Sequence, residues 1–288
     1  PTHHAQWRTS NHAYAMVDPV FRALVAVRQA DYAGAQDQFC TQCHSAIGTR
    51  GGEIVPGFSF ADLSPITLEG IGCEACHKVA SLVRPYNSGH QLDPDGPIRG
   101  PIEQPASGSP HESRYEPLFA TSAFCSGCHD VNEVSGLALE RPYQEWLESP
   151  AAASGVTCQA CHMATSEGPA AKGGPTRTLH DHRFIGVDVP HVEGFATADE
   201  RAEIRAGVVA LLASAAKLEL QAATSVTAGK QLDLLVTVHN QISGHNLPTG
   251  TTFIRELWLE VTATDGDGKV LYRTGDVDGN GDLRGHFS

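Results

Sequence analysis

The stretch "FCTQCHSAIG", residues 39–48, poses the question on which the reading of the whole chain depends. Two Cys separated by two residues are common, but here a His follows the second Cys at once. The arrangement occurs four times: Cys40–Cys43–His44, Cys73–Cys76–His77, Cys125–Cys128–His129 and Cys158–Cys161–His162. The chain has eight Cys, and the four motifs use all of them. A reading has to account for two sulfurs and an adjacent imidazole together.

Three chemistries place Cys at this spacing. Paired CxxC motifs build zinc ribbons, with about 15–20 residues between the pairs. The first gap here, from Cys43 to Cys73, holds 29 residues, and zinc gives no reason for the neighbouring His. A thioredoxin-like redox centre is one CxxC in a βαβ unit, not four in Gly-rich sequence. Covalent c-type haem uses all three residues. Its two vinyl groups take up the thiols, and the next-door His falls under the iron as proximal ligand. Four complete motifs with no Cys left over make this a specific signal. The expectation is four haem c groups, held by Cys40, Cys43, Cys73, Cys76, Cys125, Cys128, Cys158 and Cys161. Their proximal iron ligands are His44, His77, His129 and His162.

Composition points the same way. Aromatic residues are sparse (10 Phe, 6 Tyr and 3 Trp), whereas Gly (29) and Pro (17) are frequent. The first 195 residues read as loop-rich, so four large apolar macrocycles would supply the core. The net charge is −13, which disfavours nucleic acid and anionic membrane surfaces as partners. No apolar run approaches 18 residues, so no transmembrane segment is expected. The chain opens on Pro1, for which a processed precursor is the simplest account.

An internal repeat emerges when the motifs are aligned. Cys40 and Cys73 are 33 positions apart, as are Cys125 and Cys158. Phe39 and Phe124 precede the first motif of each pair, and Gly70 and Gly155 precede the second at equal distance. Two haem-pair modules, about 12–90 and 105–190, follow. Between them the Pro/Gly-rich residues 85–110 read as an extended loop.

After residue 195 the texture changes. Thr197 with Glu200 forms a capping-box signal, and Ile204, Val208, Leu211 and Leu212 share one helical face near 198–214. Leu232, Leu234, Val236 and Val238 alternate with less apolar residues, and so do Leu257, Leu259 and Val261. Asp265-Gly266-Asp267-Gly268 is a hairpin turn before 270–272. The expected fold is a loop- and helix-containing multihaem domain with little regular structure, residues 1–195. A bridging helix (196–215) and a small antiparallel, sandwich-like β domain (216–288) complete it.

Each iron needs a sixth ligand unless it serves as an open site. Eleven His remain against two Met, Met16 and Met163, so bis-His ligation of every haem is arithmetically possible. The phrases "WRTSNHAYAMVDPVF" (7–21), "SPHESRYEPLFATSAFCSGCHD" (109–130), "YQEWLESP" (143–150), "TCQACHM" (157–163), "HRFIG" (182–186) and "GHNLPTGTTFIRELWLEV" (244–261) resemble a family of secreted multihaem c-type cytochromes. Some members of that family are tetrahaem proteins that polymerise into extracellular conductive filaments. The resemblance implies distal iron ligands at His12, His111, His182 and His245, with His90 an alternative to His111. His180 and His191 compete with His182. His239 reads as sheet surface, and His3, His4 and His286 as free terminal residues or contacts to a neighbouring molecule.

"DVDGNGD", with Asp276, Asp278, Asn280, Gly281 and Asp282, fits the first half of a calcium loop. Phe287 stands where its last acidic ligand belongs, so an acidic hairpin turn is favoured. Nothing resembles a nucleophile triad, a phosphate loop or a dinucleotide site. The expected function is electron transfer, leaning away from an enzyme, in the periplasm or outside the cell. Its partners would be redox proteins, extracellular acceptors or further copies of the chain. A multihaem oxidoreductase with one open haem, acting on a small nitrogen or sulfur compound, is the alternative, as is a soluble donor to a membrane complex.

Overall fold

The computed structural model describes residues 2–105 and 110–284, so His286 and Phe287 lie outside the described residues. The chain divides into two compact units, Pro1–Gly250 and Thr251–Ser288.

In the first unit each CxxCH motif closes a short helix: Gln38–His44, Cys73–His77, Ser122–His129 and Cys158–His162. Residues three and four apart lie on one helical face. Each motif therefore turns both thiols and the imidazole to the same side, and each helix ends at its His. No disulfide joins any of the eight Cys, and Cys73 and Cys161 are exposed.

The repeat extends beyond the motifs. Trp7 Nε1 donates to the Ile71 carbonyl at 2.7 Å, and Trp146 Nε1 donates to the Val156 carbonyl at 2.9 Å. Three residues after each Trp, Ser10 and Ser149 cap a helix, accepting from Ala13 N and Ala152 N at 3.3 Å. Two residues on, the carbonyls of His12 and Ala151 accept from Ile71 N and Val156 N. Gly70 and Gly155 both adopt positive φ, at 77° and 72°. Trp–x–x–Ser thus anchors the turn before the second motif of each pair. The one chemical difference at the anchored position is that His12 in the first module is Ala151 in the second.

Residues 85–110 are not the continuous extended loop expected. His90–Leu92 pairs antiparallel with Val79–Leu82, and Ile98–Gly100 runs parallel to Ser113–Tyr115. Strands of three residues are too short to show the period-two pattern that marks longer ones.

The apolar core of this unit is small: Met16, Phe21, Val25, Ile54, Phe58 and Leu63, around the first motif. Met16 is fully buried there as a packing residue. Arg28 pairs with Glu133 at 2.7 Å and lies over the Phe39 ring, tying the two modules. The helix Ala198–Ala215 carries the complete capping box of Thr197 and Glu200. It buries Ile204 and Val208, whereas Leu212 faces solvent, so its apolar stripe is narrower than the sequence implies. It runs into an antiparallel hairpin, Ala216–Ala222 with Leu234–Asn240.

In the second unit, Val261–Thr264 pairs with Val270–Thr274 across a turn in which Asp265 accepts from Asp267 N and Lys269 N. Leu257 and Leu259 lie in irregular chain before that strand. The strands of 216–288 thus form two separate hairpins, one in each unit. In the acidic turn, Asp278 Oδ1 accepts from the backbone of Asn280 and Asp282, and Asp276 pairs with Arg284 at 3.4 Å.

Candidate haem-binding site

The four motifs converge within the first unit. Cys43 and Cys128 lie within hydrogen-bonding reach of one another, as do Cys125 and Cys158. The third motif therefore touches the first on one side and the fourth on the other. The partner's hydrogen bond holds Cys158 down at about 6 and raises Cys125 well above the thiol range. Burial pushes Cys76 up to about 12.

A strap from Asn87 to His90 joins the first and third motifs. Asn87 and Ser88 both adopt left-handed backbone, at φ 48° and 54°. Asn87 exchanges two hydrogen bonds with the Asn132 backbone, at 2.7 and 2.8 Å, and short polar side chains of this kind tolerate that region. Ser88 Oγ donates to the Gln42 carbonyl inside the first motif. Gly89 N donates to the Gly127 carbonyl inside the third. His90 lies so close over Gly127 that a Cβ there would collide with its ring.

Two of the four motif imidazoles, those of His77 and His162, are held through Nδ1. His77 Nδ1 donates to the Arg99 carbonyl at 2.5 Å, and His162 Nδ1 donates to the Ile185 carbonyl at 2.9 Å. This leaves Nε2 for a metal, the usual division of labour in metal-ligating His. Ile185 is in turn packed against Gly207 of the long helix, which fixes the carbonyl that holds His162. His44 lies face to face with Phe21, ring centres 3.9 Å apart, and its buried imidazole has the Ala15 backbone as a neighbour.

Three of these imidazoles each meet one from a distant part of the chain. His129 and His12 have ring centres 6.0 Å apart, His162 and His245 6.2 Å, and His77 and His182 6.4 Å. Imidazole binds metals at about 2.0–2.1 Å, so two rings on opposite sides of one iron have centres about 6 Å apart. His182 Nδ1 is occupied by the His180 carbonyl and His245 Nδ1 by the Asn246 carbonyl, both at 2.9 Å, which again leaves Nε2 for a metal. His12 is set by the Ile71 bond to its carbonyl and by Phe184, 4.4 Å from its ring. His245 is delivered by residues 243–245, where the Ser243 carbonyl accepts from Ala151 N and Gly244 abuts Ala151.

Ligation also needs neutral imidazole. Burial lowers His12 to about 3 and His44 and His182 to about 4, and it lowers His77 and His129 too. The residues present therefore fit haem c: thiol pairs and an imidazole on one helical face, and a second imidazole at the right span for three of the four.

The other predicted residues lie elsewhere. His111 is exposed, beside Glu112 and Ser113, with its charge acting on His77. His90 engages the Phe124 carbonyl through Nε2 at 2.7 Å and faces Cys128 through Nδ1 at 3.8 Å. Its Nε2 is thus taken by a carbonyl. His44 has its described ring contact with Phe21 rather than with an imidazole. His3, read from the sequence as a free terminal residue, packs against His182.

Comparison with known proteins gives one family. Residues 1–78 match the model of the cytochrome c554 and c-prime family, a span that holds the first two motifs and His12. No curated protein and no solved structure matches the chain. The family match and the four motif helices together support a multihaem c-type cytochrome with covalently bound haem, working in electron transfer.

Proposed function

We propose that the chain passes electrons along four covalently attached c-type haems, three of them ligated by two imidazoles. The observation that carries this reading is the set of three imidazole pairs at 6.0–6.4 Å, each joining a motif His to a residue remote in sequence. The haems supply the redox chemistry. The chain holds them through its thiols, keeps His12, His44, His77, His129 and His182 neutral by burial, and sets the motifs thiol to thiol. Bis-imidazole ligation favours low potentials and leaves no open position on those irons. Spectra of the matured protein should show low-spin ferric haem at these three sites, and the reduced protein should bind carbon monoxide at no more than one. Binding at two or more would defeat the reading.

A second reading applies to one haem. Because the His44 ring meets Phe21 and no imidazole among the described residues, its iron is the one that would take a small ligand. Carbon monoxide bound to one haem in four would favour an oxidoreductase working on a small compound.

The finer parts of the proposal are a location outside the cytoplasm and assembly into a polymer. Among the described residues no helix is long and apolar enough to cross a membrane. Assembly is supported by the hairpin of 216–240. Leu218, Leu220, Val236 and Val238 share one face of it, and Leu218 and Leu220 are 60 % and 66 % exposed. Electron microscopy of native material should show head-to-tail chains, and monomers alone would remove the polymer while leaving electron transfer intact.

A further inference from the structure

His3 lies in the helix Thr2–Trp7, with its ring centre 4.5 Å from that of His182 and the two planes 38° apart. Its Nε2 is buried and has no hydrogen-bond partner. A buried donor or acceptor left without a partner is costly, and where one persists it marks a group held for some other use. One helical turn along, the Gln6 side chain accepts from His182 N at 3.3 Å, so the helix is pinned to the segment that carries His182. His182 is in turn 6.4 Å from His77, whose charge also acts on His3. Two imidazoles from parts of the first unit remote in sequence are therefore gathered at one motif His. One of them holds a free, buried nitrogen.

We propose that His3 is an alternative sixth ligand for the iron held by Cys73, Cys76 and His77, able to take the place of His182. The proposal rests on the reading that this motif binds haem c with His182 as its distal ligand. Replacement needs no co-reactant, since one nitrogen–iron bond substitutes for another and no electron or proton changes hands. Two neutral imidazoles are alike as ligands, so the spin state is preserved. What differs is the setting. His182 keeps its Nδ1 on a backbone carbonyl, whereas the helix that carries His3 is only six residues long. The two ligation states should thus differ in reduction potential.

The test uses matured protein with its haem content checked by mass. In His182→Ala the expected result is no new high-spin haem, together with a changed electron paramagnetic resonance signature and a shifted potential for one haem. His3→Ala/His182→Ala should then gain one high-spin haem, and added imidazole should return it to low spin. Should His182→Ala fail to accumulate with all its haems, His182→Gln serves in its place. A new high-spin haem in the single variant would overturn the proposal, because His3 then does not reach the iron. A double variant that stays low-spin would overturn it too, pointing to another residue such as His111. A single variant with signature and potential identical to the parent would mean that His182 is not a ligand, which removes the underlying reading as well.

Discussion

His12 and His245 reach their partners from opposite ends of the first unit, at 6.0 Å from His129 and 6.2 Å from His162. His12→Ala and His245→Ala should each add one high-spin haem to the parent spectrum. His90→Ala should add none, because its Nε2 serves the Phe124 carbonyl. A second residue-scale consequence concerns acid. Burial holds His12 near 3 and His44 near 4, against 6.5 for the unfolded chain. Between those values the unfolded state binds more protons, so stability rises with pH through that window and is lost as pH falls from about 6.5 toward 3. Iron ligation acts in the same direction, since metal and proton compete for the nitrogen. Denaturant midpoints measured at pH 7 and pH 4.5 should be clearly lower at the acid value, and equal midpoints would contradict neutral, buried imidazoles. The CxxCH spacing was legible because it lies within five residues. The imidazoles that meet a motif His could not be read from spacing, since they come from remote parts of the chain and Nε2 availability depends on which carbonyl takes Nδ1. His12, His182 and His245 entered through the family resemblance, and the contact of His3 with His182 did not.

At the scale of elements, the turn before the second motif carries a distal ligand. Gly70 has φ +77°, and a Cβ there would collide with the His12 carbonyl oxygen. Gly70→Ala combines a left-handed Ala, at about 1–2 kcal/mol, with overpacking at about 1–3 kcal/mol. The expected loss of unfolding free energy is about 2–5 kcal/mol, with weakened low-spin character at the haem of His129, measured by denaturation and absorption spectra. A neutral outcome would show that this turn does not set His12. Gly155, with open space around it, should be more tolerant of the same change. The repeated 33-residue spacing was visible in the Cys, but the Trp–x–x–Ser anchor of each module was not. That anchor became evident only when Trp7 and Trp146 were seen to donate to matching carbonyls. The capping box of the long helix was legible because it is local, and the strands within 85–110 were hidden because each has only three residues.

Across the whole molecule, the polypeptide buries little by itself. Its largest cluster has six residues, while Leu218, Leu220, Leu257 and Leu271 are each at least 60 % exposed. Apolar burial is the main favourable term in folding, and too small a core leaves a chain without a cooperative transition. A variant with all eight Cys changed to Ser, and so unable to attach haem, should show no cooperative thermal unfolding by circular dichroism. A sharp transition would show that the chain folds on its own side chains. Composition had pointed to this weakness. The division at Gly250 had no sequence mark.

The central claim is that all four motifs hold haem covalently, and intact-mass spectrometry of the matured protein in denaturant tests it most directly. The account predicts a single species heavier than the polypeptide by four haems, with no thiol free to react with an alkylating reagent. A fully matured protein with three haems or fewer, or with one motif's thiols still reactive, would contradict it.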